Sequence, residues 1–287
     1  MKMIFADMDG TLCDENGKVN DKTIHSIQEV IRNGYMFVVA TGRSIDRIIP
    51  SFFQTPLSYI IALNGSQIYD VENKKIEAIT IRDNEPFLRQ ISSPVDIQND
   101  KELMNDIDIL DQFCKENSVM AMASVQLGIP KRIVYLKNTN LDIINKIQNN
   151  SNSEEVKNYN EKKVLINPTI LKREGLTEYW EACASCLDNM GRVLRPYKIE
   201  LEYYDIDGSQ KIETFEGFES TVLSHELDHL DGILHIDIAE EVIEMPASER
   251  KKWRQSHEYK VYQKDGDYDS LRDKGKNTIT KLYKNYN

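Results

Sequence analysis

Residues 225–229 read His-Glu-Leu-Asp-His. Histidines four apart lie on one side of an α-helix, one turn from each other, so both imidazoles can face a single metal ion. The intervening Glu226 then sits beside that ion and can handle the proton of a bound water. The spacing requires a helix here and suggests a metal-dependent hydrolase. It leaves open which bond is cut, and it supplies two ligands where three are usual. Candidates for the third are the histidines outside the motif, several acids and the cysteines Cys13, Cys114, Cys183 and Cys186.

The chain has 287 residues, 40% of them hydrophobic, enough for one large domain or two modest ones. The longest apolar runs are strand-sized, so no membrane span is expected. Residues 1–7 lead straight into a strand and carry no secretory signal, which makes the cytoplasm the expected location. The net charge of −11 argues against general nucleic-acid binding. Residues 249–287 run the other way, with eleven Lys or Arg against six Asp or Glu, either as a solvated end or as a contact for an anionic partner. Four unevenly spaced cysteines imply no disulfide framework. Cys183 and Cys186 form a C-x-x-C that alone could be half a zinc site, a redox pair or neither.

Residues 1–80 alternate strands and helices, the pattern of a parallel sheet. Strands are expected at 3–6, 35–40 and 59–63, a helix at 21–33 ended by Gly34, and a short helix at 44–49. A hairpin follows, with arms at 67–69 and 75–81. A second unit begins near residue 84. It holds a helix within 100–116, strands at 132–136 and 163–167 with Pro168 closing the latter, and a polar insertion at 138–161 with a short helix at 141–147. A hairpin joins 198–204 to 210–215 through Asp205-Ile206-Asp207-Gly208. The metal helix spans 218–231, and Pro246 is expected to end the core, leaving a polar, weakly patterned tail.

Three segments in order carry a family resemblance. Val119-Met120-Ala121-Met122-Ala123-Ser124-Val125-Gln126, Glu181-Ala182-Cys183-Ala184-Ser185 and His225-Glu226-Leu227-Asp228-His229 resemble the G-x-G-x-A-A-x-Q, E-G-C-x-S and H-E-x-D-H motifs of peptide deformylases. The third matches in full and the second lacks only its glycine, replaced by Ala182. The first keeps Gln126 and Ala123 but has lost both glycines and the second alanine. The resemblance covers about residues 80–243. It implies that Cys183, His225 and His229 bind one divalent ion, iron(II) or zinc, with nickel and cobalt as further choices. It implies that Glu226 is the general base and then acid, and that Gln126 and the main-chain N–H of Ala184 serve the oxyanion. Glu181 would hold its loop through an ionic contact with Arg195, and Asp228 would orient a ligand or brace the helix. The substrates implied are formylated nascent or short peptides, cleaved to formate and a free N-terminus. The basic tail would be the place for any ribosome contact; no membrane partner is implied, and the oligomeric state is left open.

Asp7-Met8-Asp9-Gly10-Thr11, after a short strand, resembles the opening motif of haloacid dehalogenase-like phosphatases, which places a nucleophile at Asp7 and an acid/base at Asp9. Thr41 and Asn64, each following a strand, resemble later elements of that site. The lysine and the second acidic pair that such a phosphatase needs do not follow before residue 80. The unit therefore reads as a truncated core with a vestigial site, and magnesium is not expected there.

The expected fold class is α+β: deformylase-like mixed and antiparallel sheets around a metal-binding helix, preceded by a partial α/β Rossmann-like, haloacid dehalogenase-like unit. The expected units are 1–80, 81–245 and a polar, basic extension at 246–287. The leading function is metal-dependent removal of the N-formyl group. The alternatives are an inactive deformylase-like binding or regulatory protein, a question raised by Val119, Ala121, Ala182 and Ala184 in the substrate wall, and a phosphatase.

Overall fold

The computed structural model describes residues 2–14, 19–43, 48, 57, 59–62, 65, 67–70, 75–117, 119–137 and 162–273. Of the helix expected at 44–49 only Ile48 is described, and it is helical and buried; the one expected at 141–147 lies outside these residues. Two sheets organise the chain. In the first, β1 (Lys2–Asp7), β2 (Tyr35–Ala40) and β3 (Tyr59–Ala62) run parallel, and β4 (Gln67–Asp70) and β5 (Lys75–Glu77) continue antiparallel. Helix α1 (Asp21–Arg32) is capped by Asn20, whose side chain accepts from the Thr23 N–H at 2.9 Å, and it buries Ile27 against β2. Gly34, at φ +81°, takes the left-handed turn after it. Tyr69 of β4 touches both the core of this sheet and the core of the second, so the first unit leans on the rest of the chain.

The second sheet has eight strands, built around β8 (Lys162–Ala182). β6 (Ala121–Ala123) and β7 (Ile133–Lys137) lie on one side of it and β10 (Lys198–Tyr204) and β11 (Gln210–Glu216) on the other. The hairpin expected at Asp205–Gly208 joins β10 to β11, with Gly208 at φ +80°.

Pro168 does not close β8. Asn167 turns to φ 52°, and the register against β10 shifts between Glu202 and Tyr204. The proline thus falls at a bulge, where its missing N–H costs no ladder bond, and the strand runs on for fourteen more residues. Its far end pairs with β9 (Asn189–Arg195), a strand the sequence did not announce.

Helix α2 (Ile81–Leu88) opens on a capping box between Thr80 and Asp83. Helix α3 (Leu103–Glu116) buries Leu103, Ile107, Leu110 and Phe113, the spacing of one helix face. Helix α4 (Phe218–Leu230) is buried on most of its circumference, with Leu223, Leu227 and Leu230 packed into the core formed by β6, β7, β8, β10 and β11. It ends at Gly232, φ +73°, where a Cβ would lie 2.2 Å from the Arg89 carbonyl oxygen.

Pro246 does not end the core. After a short helix α5 (His235–Ile238), strand β12 (Glu241–Glu244) pairs with β9. Helix α6 (Ala247–Ser256) follows, and β13 (Lys260–Asp267) then pairs with β8. Tyr268 is buried and donates to the Leu194 carbonyl at 2.8 Å. The extension is therefore folded at least to residue 273. Among the described residues no helix is long and apolar enough to cross a membrane.

Candidate metal centre

Three side chains converge between β8 and α4. Cys183 stands at the end of β8, where the turn Ala184–Cys186 and Leu187 at φ 55° reverse the chain into β9. His225 and His229 project from successive turns of α4. The Cys183 Sγ lies 3.2 Å from His229 Nε2, which lies 3.2 Å from His225 Nε2, and all three donor atoms fall within 4.8 Å of one another. Ligands at about 2.0–2.3 Å from a tetrahedral ion sit roughly 3.3–3.6 Å apart, so the spacing suits one ion. No other such group occurs among the described residues.

The surroundings favour a cation. His225 Nδ1 faces Glu181 Oε2 at 2.8 Å, which leaves Nε2 directed at the centre. Burial pulls the His225 ring towards neutrality, but hydrogen bonds to Cys183 and Glu181 hold its pKa well above the ordinary value. A field that holds a proton there also attracts a divalent ion. Burial keeps His229 neutral by lowering its pKa, as a ligand must be.

Glu181 is buried, which by itself would raise its pKa. Arg195 outweighs that penalty with bonds of 2.8 and 3.0 Å and holds the carboxyl ionised well below the usual range. Arg195, on β9, also donates to Asp228 of α4. One guanidinium therefore ties together β8, β9 and α4, the elements that set Cys183 against the histidines.

Glu226 is 6% exposed, and its Oε2 has no hydrogen-bond partner. Burial lifts its carboxyl to about 7, with His225 opposing and Cys183 adding to the shift. Gln126 enters from a 3₁₀ turn at Ser124–Leu127. Its Nε2 donates to Cys183 Sγ and to Ser185 Oγ, both at 3.1 Å, while its Oε1 accepts from the Ala123 N–H. Ala184 is exposed on the wall of the adjoining cleft.

That cleft, of about 180 Å³, has room for a peptide end and is smaller than a drug-sized pocket. Val119, Met120, Ala121, Phe218 and Val222 give it apolar walls, and Gln126, His225 and Glu226 open onto it. The side chains at Val119, Ala121 and Ala182 line the cleft without closing it. Cys186 is fully buried beside Ile79, Leu88 and Leu234 and takes no part in the donor group.

The four residues of the first unit are not gathered in the same way. Asp7 and Asp9 lie exposed at the end of β1, and Asp9 is paired with Arg43. Thr41 is buried after β2 and accepts from the Arg43 N–H at 3.1 Å. Asn64 lies outside the described residues.

Two residues near the centre had no motif to announce them. His235 is 1% exposed with its ring 5.5 Å from that of His225, neither ring nitrogen has a partner, and burial lowers its pKa to about 4. Arg254, from α6, reaches the cleft wall.

The family model for polypeptide deformylase matches residues 77–243, more than half of the chain. A peptide deformylase of Pelagibacter ubique (strain HTCC1062) is 34% identical over 152 residues, 53% of this chain and 79% of that one. Peptide deformylase 2 of Clostridium acetobutylicum is 34% identical over 157 residues, 55% of this chain and 91% of that one. Among solved structures, a peptide deformylase from Synechococcus elongatus in complex with actinonin is 25% identical and superposes with a TM-score of 0.47, covering 63% of this chain and 84% of that one.

Proposed function

The chain belongs to the polypeptide deformylase family, and on that premise we infer that Cys183, His225 and His229 hold its divalent ion and that Glu226 and Gln126 serve the chemistry. The protein is a hydrolase that removes the formyl group from N-formylmethionyl peptides. The convergence of the three donor atoms beside a buried carboxylate with one oxygen left without a partner is the observation that carries the assignment of residues.

The bound ion supplies a Lewis acid and an acidified water. The chain's own groups do the rest. A carboxylate that titrates at about 7 is matched to neutral pH, so Glu226 can take a proton as the C–O bond forms and return it to the amine nitrogen as the C–N bond breaks. Gln126 Nε2, held beside Cys183, can donate to the formyl oxygen as charge gathers there. The N–H of Ala184, on the cleft wall, is proposed as a second donor. The apolar walls from Val119 to Met122 and at Val222 suit the methionine side chain. Products are formate and a free peptide amine.

One thiolate with two imidazoles suits iron(II) or zinc, and nickel or cobalt less specifically. We place the reaction in the cytoplasm, on nascent or short formylated peptides. Formate release from a formyl-Met tripeptide should stop on chelation and return with added zinc or iron(II), and Cys183→Ser should lower the bound-metal content. Release that survives both treatments would refute the assignment. Exposed Lys251 and Lys252 are offered as a ribosome contact, and unchanged co-sedimentation of a Lys251→Glu, Lys252→Glu variant would count against it.

A second reading applies to residues 1–80. The parallel β1, β2 and β3, with Asp7 ending β1, Asp9 in the turn after it and Thr41 following β2, support a truncated haloacid dehalogenase-like unit ahead of the deformylase unit at 81–245. With Asp9 bound to Arg43, no release of phosphate from p-nitrophenyl phosphate is expected, and turnover lost in Asp7→Asn would contradict this. Residues 246–287 are read as an appendage of the second unit.

A further inference from the structure

Helix α6 lies beyond the residues that the family model matches, yet it contributes to the wall of the metal-site cleft. Trp253 packs edge-on against Trp180 of β8, with ring centroids 5.7 Å apart, and stacks flat on His257 at 4.0 Å. These contacts anchor the helix and present Arg254 to the cleft. Its Nε donates to the Trp180 carbonyl at 3.3 Å, and its guanidinium carbon lies 5.4 Å from the centre of the Tyr179 ring. The head is thereby held in place with its two terminal nitrogens left over.

Among the described residues no carboxylate pairs with Arg254. Its helix neighbour one turn earlier, Arg250, is engaged by the Leu187 carbonyl and Asp188. The two carboxylates in the cleft wall have other tasks: Glu181 is held by Arg195 and His225, and Glu226 is the proton carrier. A half-buried guanidinium that is fixed but has no carboxylate partner, on a wall whose own carboxylates are otherwise engaged, is a carboxylate receptor by its donor geometry. Formylation removes the charge of a peptide's amino end. A short formylated peptide with neutral side chains therefore has one charge, its own carboxylate.

We propose that Arg254 determines specificity by binding a carboxylate of the formylated substrate, either the free C-terminus of a short peptide or an acidic side chain in a longer one. The inference rests on the deformylase reading of the same cleft.

The test compares kcat/KM for formate release from formyl-Met-Ala-Ser and its C-terminal amide, and from the amides of formyl-Met-Glu-Ser and formyl-Met-Gln-Ser. At least one acidic substrate should be preferred by about tenfold, mainly through KM, and the pair that shows it identifies the source of the carboxylate. In Arg254→Gln the preference should fall below about twofold, and Arg254→Lys should restore part of it. Wild-type protein with no preference in either pair, or a preference undiminished in Arg254→Gln, overturns the proposal. No formate from any of the four substrates overturns the activity itself, and this inference with it.

Discussion

Arg195→Met removes the one cation that joins Glu181 to Asp228. Arg195 is 4% exposed and makes two bonds to Glu181, itself 4% exposed, and one to Asp228. Methionine fills much of the same space, so the loss is mainly electrostatic: a buried carboxylate is left with His225 alone. Breaking such a pair from one side costs about 3–5 kcal/mol. With the metal chelated, the urea midpoint should fall by roughly 1–2 M. Metal affinity should fall about 10–100-fold as well, because Glu181 then no longer orients His225. In a Glu181→Gln background the same substitution should cost less than about half as much, since the carboxylate it would strand is gone. A loss below about 1 kcal/mol, or additivity of the two changes within about 0.5 kcal/mol, would refute the argument that Arg195 organises the site.

Three further outcomes follow from the same structure. Glu178 is 4% exposed; burial raises its pKa, but Lys260 and Arg192 more than offset this and lower it below 4.5. A depressed carboxyl stabilises the fold above its unfolded pKa and loses that contribution as pH falls through the folded one, so the stability gap between wild type and Glu178→Gln should close below pH 4.5 in pH-dependent urea titrations. Trp253→Ala should lower stability by about 2–4 kcal/mol and loosen α6, seen as faster amide exchange at 247–256; unchanged exchange would contradict its anchoring role. Gly232→Ala meets both a left-handed φ and a Cβ contact of 2.2 Å with the Arg89 backbone, so thermal melts should show a loss above about 3 kcal/mol, and a neutral result would contradict the tight turn after α4.

What could be read from the sequence was what repeats locally. The histidine spacing of α4 and the Asp-Gly turn between β10 and β11 are short-range signals, and the structure has both elements where they were expected. The second half of β8 and the whole of β9 gave no such signal. From Gly175 to Trp180 β8 is buried on nearly every side chain, so the alternation that marks a strand is absent. Glu178 and Arg192 carry no hydropathy signal of a buried strand, yet they pair inside the sheet, beside the Glu181–Arg195 contact that the family resemblance implied. Strand β13 is exposed at all eight positions and is held by backbone pairing to the edge of β8, which leaves no trace in hydropathy. The same holds for the site. Motif spacing brought out His225, His229 and Glu226, and the family resemblance pointed to Cys183, but nothing in the polar run from 247 to 256 points to Arg254, whose place depends on a helix docked through Trp253.

The direct test of the account is formate release by Glu226→Gln with its metal content measured alongside. The substitution keeps the shape of the side chain and removes the group that carries the proton. The account predicts a metal-loaded variant whose kcat is lower by about 10²–10⁴-fold on a formyl-Met tripeptide. A fully loaded variant that turns over at the wild-type rate would contradict it.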